Sequence, residues 1–162
     1  MKALLAMLLM ASLPCAEAAA AQAHATSPLV GAWAVDVTKL PIPPAARPRS
    51  AIIRFGDAGN GQWSTQVDIV DAAGVQSHVG GTTALDGTPA KVAGTGVVEA
   101  DTAATTLPTP RVLVMVLSKG GVPGSTRVYT LGDDGRTLTE TATYFGDGGV
   151  PIVRTHYFHR TE

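Results

Sequence analysis

The chain has little of the residue that staples small exported domains, a single cysteine (Cys15) in 162 residues. One cysteine cannot close an internal disulfide, so a disulfide scaffold is excluded. An excess of charge of one sign is also missing. Twelve Lys and Arg stand against thirteen Asp and Glu, and the basic residues are scattered singly. Nucleic-acid phosphates are met by clustered cations, so this pattern argues against a nucleic-acid partner. No basic amphipathic stretch suggests a membrane surface. No apolar run reaches the roughly 20 residues of a spanning helix, so stable membrane insertion is not expected. There is no P-loop, dinucleotide-binding glycine pattern, Gly-x-Ser-x-Gly or His-Glu-x-x-His. His78, His156 and His159 lack a metal-ligand spacing. The last two lie three apart, which on a strand turns them to opposite faces. Neither a metal nor another cofactor is expected.

What is present begins with a leader. Lys2 supplies a positive start, residues 3–13 are apolar, and an alanine-rich tail follows with two small-x-small sites, Ala16-Glu17-Ala18 and Ala23-His24-Ala25. That layout is a secretory signal peptide. It predicts removal of residues 1–25, or of 1–18 if the first site is used. The remainder is one periplasmic or secreted domain, residues 26–162. Cleavage after Ala25 removes Lys2, Glu17, His24 and Cys15, so the formal charge stays at −1 and no cysteine remains. A lipid anchor on Cys15 would call for a small residue before it, and Pro14 stands there.

After the leader no helical period persists, and short β-branched runs alternate with turn signals. The runs cover residues 29–37, 51–55, 63–70, 75–85, 111–118, 125–131, 137–145 and 150–160. A less regular region, 91–106, has room for two short strands, and a Pro-rich connection spans 40–48. Gly, Asn and Asp at 57–61, 71–74, 86–87, 119–121, 134–135 and 147–149 supply the positive φ of tight hairpins. Eight to ten strands joined in order by short turns make an antiparallel up-and-down meander, and closing it into a barrel removes its exposed edges. Val112, Leu113, Val114, Met115, Val116 and Leu117 are apolar on both faces. The Pro-rich connection or a second subunit is expected to cover the outer one, which makes a homodimer through this strand an open possibility.

The first strand, Leu29-Val30-Gly31-Ala32-Trp33-Ala34-Val35-Asp36, carries a Gly-x-Trp opening. Together with the Pro-rich connection and the hairpin Gly132-Asp133-Asp134-Gly135-Arg136-Thr137-Leu138-Thr139, it resembles a family of small exported bacterial lipocalin-like barrels of uncharacterised function. The resemblance implies a barrel with an interior cavity for a small, partly apolar molecule, and it implies no reaction. It also implies that Trp33 closes one end beneath a late-strand arginine, for which Arg160 is the candidate. The disulfide pair of lipocalins proper is absent.

Hairpin registers bring polar residues together. A type I turn at 71–74 pairs Asp71 with Val75, which sets Asp68 opposite His78 on an outer face, an ordinary solvated cross-strand pair. A two-residue Asp134-Gly135 turn sets Tyr129 opposite Glu140 and Arg127 opposite Ala142. A left-handed Gly149 sets Glu140 opposite His156 and Ala142 opposite Arg154. Arg127, Tyr129, Glu140, Arg154 and His156 then share one face between apolar ends, with Thr137, Thr139, Thr141 and Thr143 on the other. If that face points inward, Glu140 holds His156 and one arginine, Arg154 being the expected partner. Arg127 and Arg154 would be available to a ligand carboxylate. A structural ion-pair network, or the same face turned to solvent, is the plainer account of these residues, because such networks imitate sites. Three readings follow. The first is a barrel binding a small, partly apolar molecule with an acidic or hydroxyl group. The second is an isomerase, lyase or hydratase using Glu140 and His156 as acid and base, with Tyr129 as a hydrogen-bond donor. The third is a protein-interaction module.

Overall fold

The computed structural model describes residues 26–96 and 99–161, and the expected leader lies outside them. Eleven strands form one antiparallel sheet: β1 (Gly31–Val35), β2 (Ser50–Gly59), β3 (Gln62–Val70), β4 (Gln76–Ala84), β5 (Ala90–Lys91), β6 (Ala93–Thr95), β7 (Thr102–Thr109), β8 (Val112–Lys119), β9 (Val122–Leu131), β10 (Thr137–Phe145) and β11 (Pro151–Arg160). Their order is β5-β7-β8-β9-β10-β11-β1-β2-β3-β4-β6, an up-and-down meander in which the last strand pairs with the first. The expected antiparallel barrel is therefore present and nearly closed, with eleven strands instead of eight to ten. The irregular region accounts for the difference, because it holds the full-length β7 as well as two short strands.

β5 and β6 flank Val92 on one segment that forms the seam. Ala90 and Lys91 pair with β7, then Ala93, Gly94 and Thr95 pair with β4. The switch brings the segment hard against β4, and a Cβ at Gly94 would overlap the His78 carbonyl oxygen. Only glycine permits that approach. An isolated bridge between Asp86 and Thr106 ties the other end of the seam.

Alternate turns of a meander lie at alternate ends, and the two ends differ. At one end Leu29, Trp33, Leu113 and Leu138 are fully buried, with Phe55, Trp63, Leu131 and Phe158 packed against them. This is an apolar floor. Trp33 donates its indole N–H to the Leu29 carbonyl at 2.8 Å, and the Arg160 guanidinium lies over its ring, 4.1 Å from the centroid. The same guanidinium donates to the carbonyls of Val30 and Gly135, locking the chain ends across the floor. At the other end exposed Val75, Val122, Phe145 and Val150 rim the mouth.

The Pro-rich connection lies on the β1–β2 side, where Leu40 and Pro48 line part of the lumen. On β8 the outward Val112, Val114 and Val116 are half-buried, while Leu113 and Met115 point into the core. No helix of the described residues is long and apolar enough to cross a membrane.

Candidate functional site

The hairpins on either side of β10 position the polar groups. The β10–β11 turn forms as expected: Gly149, at φ 75°, donates to the Gly146 carbonyl, and Gly146 pairs with Val150. The β9–β10 turn differs. Gly135 donates to the Gly132 carbonyl and Gly132 pairs with Thr137, giving a four-residue loop, 133–136, instead of a two-residue turn. The Arg136 and Thr137 N–H groups turn instead to the Asp134 carboxylate, at 2.8 and 2.9 Å. Adding one residue to each arm preserves parity, so the facing pairs are unchanged. Tyr129 faces Glu140, Arg127 faces Ala142, and Glu140 faces His156.

That face points inward. Glu140 is buried beside Tyr129, with only 2 % of its surface exposed. A lone carboxylate in such a place would be prohibitively costly, and the structure compensates it fully. Its Oε1 accepts from the Tyr129 hydroxyl at 2.8 Å and from Arg127 Nη1 at 3.1 Å. Its Oε2 lies 2.7 Å from His156 Nδ1. Burial works against ionisation of Glu140, but the His156 hydrogen bond, the Arg127 charge and the Tyr129 hydroxyl outweigh it and hold its pKa below the ordinary value. Burial, reinforced by the nearby Glu140 charge, drives the Tyr129 phenol well above its ordinary range. Burial also disfavours the Arg127 charge, yet Tyr129, Glu140 and Glu99 more than offset this and raise its pKa further.

The arginine on Glu140 is thus Arg127, not the expected Arg154. The register sets Arg154 beside Ala142, one strand pair nearer the mouth than His156, and its guanidinium lies over Tyr144, 6.0 Å from the ring centroid. Four of the five predicted residues meet. A fifth partner was not foreseen: Glu99, on the loop before β7, accepts from Arg127 Nη2 at 2.8 Å. No local pattern marks Glu99, because its partner lies three strands further along the chain.

These groups border a lumen cavity of about 300 Å³ walled by Ile53, Val67, Ile69, Val79, Met115 and Leu117, with Arg127, Tyr129 and His156 along one side. A second lobe of about 220 Å³ shares Arg127, Tyr129 and His156. Thr65 and Thr83 face the first lobe. Their hydroxyls, with that of Thr105 and the Trp63 indole N–H, are buried and have no hydrogen-bond partner among the described residues. Sequence reasoning did not single out these hydroxyls, because strand alternation tells which face a threonine occupies and not whether its hydroxyl finds a partner.

On the outer wall Asp68 sits between His78, at 2.6 Å, and Arg54, all about half exposed, as expected of a solvated cross-strand group. No group of three His, Cys, Asp or Glu able to hold a metal occurs among the described residues. No family model, curated protein or solved structure matches the chain.

Proposed function

We propose that this chain is an exported, lipocalin-like barrel that binds a small, partly apolar molecule in its lumen. The carrying observation is the cavity itself. It is apolar over most of its wall, has a few convergent polar groups, and ends on a rigid floor, which is the usual build of a small-molecule site. The leader-like first 25 residues support export to the periplasm or beyond. The test is titration of the purified mature protein with the neutral fluorophore N-phenyl-1-naphthylamine, alongside native mass spectrometry of periplasmic material. A saturable one-to-one fluorescence rise, or a co-purified small-molecule adduct, is expected. Absence of both would count against binding.

One observation favours a second reading. Glu140 orients His156 through Nδ1 and leaves Nε2 as the ring nitrogen not engaged by the carboxylate, in a residue that lines both lobes. A carboxylate-oriented imidazole beside a cavity is an arrangement for proton transfer. In that enzyme, an isomerase, lyase or hydratase, His156 is the base and Glu140 its orienter. Turnover abolished by His156→Ala, with the fold intact, would distinguish catalysis from binding. A homodimer through β8 rests on half-buried Val112, Val114 and Val116, and sedimentation at micromolar concentration checks it.

A further inference from the structure

We propose that the lumen selects a neutral ligand, held by a hydroxyl or carbonyl oxygen at Thr65 and Thr83, and discriminates against carboxylates. This rests on the binding reading above and adds the ligand's chemical class.

The argument starts from what each polar group has left to offer. Arg127 is the only Lys or Arg among the described residues lining the cavity, and each of its nitrogens already donates: Nη1 to Glu140, Nη2 to Glu99, and Nε to the Ser125 hydroxyl at 3.4 Å, so its charge is shared between two carboxylates although one N–H remains on each Nη. One cation faces two carboxylates, so no net positive charge remains for an entering anion. The Tyr129 hydroxyl is likewise spent on Glu140. With Nδ1 donating to the Glu140 carboxylate, His156 Nε2 is left facing the cavity, and in the neutral form of the ring it is an acceptor. An acceptor repels a carboxylate and welcomes an alcohol hydroxyl. An anion entering this apolar space would lose its hydration and find no free cation.

The opposite side of the cavity is in the reverse condition. Thr83 is 4 % exposed and Thr65 faces the same lobe, yet neither hydroxyl has a partner among the described residues. A buried hydroxyl left unpaired is costly, and these two can each donate and accept. They suit an alcohol, which does both, or a ketone or aldehyde, which accepts. The surrounding Val67, Val79, Met115 and Leu117 suit an alkyl body. Thr105 and Trp63 also carry buried polar groups without a partner among the described residues, but they do not line the cavity.

The test is isothermal titration calorimetry of the mature protein at neutral pH with 1-octanol, 2-octanone and octanoate, which share one carbon skeleton. The alcohol and ketone are expected to bind at least tenfold more tightly than octanoate. Thr65→Val/Thr83→Val should lose at least tenfold in 1-octanol affinity while keeping its melting temperature within a few degrees, which separates a lost contact from a lost fold. Octanoate binding as tightly as 1-octanol, or an unchanged affinity in the double variant, would overturn the selectivity while leaving lumen binding intact. No binding of any of the three, with no response to the neutral fluorophore either, would overturn both.

Discussion

On the wall built by β9, β10 and β11, a buried carboxylate receives Tyr129, Arg127 and His156 within 3.1 Å. On the wall built by β3, β4 and β7, the Thr65, Thr83 and Thr105 hydroxyls meet no partner among the described residues. β8 separates the two walls on one side and β1–β2 on the other. The charged wall is a closed network whose members satisfy each other. On the neutral wall, Thr65 and Thr83 line the cavity with their hydroxyls unpaired, and Thr105 lies behind it. Charge draws attention in a sequence, but a completed ion-pair network contributes rigidity and a fixed imidazole, whereas unpaired neutral groups are what a ligand has to satisfy. If this contrast is right, truncations on the first wall cost stability and truncations on the second cost binding.

The largest expected effect is Glu140→Ala. It strands Arg127, Tyr129 and the His156 Nδ1 in a largely dry place, and breaking such a buried pair costs about 3–5 kcal/mol. Urea denaturation would measure it. A loss below about 1 kcal/mol would show that the network is not the closed structure described.

Acid should expose the same wall. Because its folded pKa lies below the ordinary 4.5, Glu140 contributes stability that is fully present above that value and lost as pH falls through the folded one. The urea midpoint of the wild type should therefore fall more steeply than that of Glu140→Gln below about pH 4.5. Asp68, whose pKa is lowered first by the His78 hydrogen bond and then by Arg54, is present in both proteins and cancels in the comparison. Parallel curves would remove the acid linkage from Glu140.

Thr83→Val makes the opposite demand. It replaces an unpaired buried hydroxyl with a methyl group, so stability should hold or rise by up to about 1 kcal/mol. A loss beyond about 1 kcal/mol would mean that the hydroxyl is bonded in the folded protein and that the contrast between walls fails. The smallest effect belongs to the outer surface. Thr139→Ala, opposite Tyr157 on the solvated face, should change stability by less than about 0.5 kcal/mol. A larger change would show that this face is covered.

Much of this fold was legible because hairpin parity is robust. The β9–β10 loop has four residues where two were expected, yet the facing pairs survive, since one residue added to each arm leaves every side chain on its face. The seam was not legible. The segment from Ala90 to Thr95 changes partner at Val92, and nothing in a six-residue stretch announces that its two halves pair with strands on either side. The site divided in the same way. Glu140, Tyr129, Arg127 and His156 are joined by hairpin registers and could be derived. Arg154 also faces inward but lies beside Ala142, one strand pair above His156, and alternation alone does not measure that height. Glu99 depends on a contact between distant loops, and the threonine wall depends on which hydroxyls remain unpaired after packing.

A crystal structure of residues 26–162 with 1-octanol bound tests the contrast most directly, because it reports where the ligand oxygen goes. The account predicts that oxygen within hydrogen-bond distance of Thr65 or Thr83 Oγ1, with Arg127 and Tyr129 still on Glu140. An alcohol oxygen seated on Arg127 with the Glu140 contact broken, or an alcohol bound outside the lumen, would contradict it.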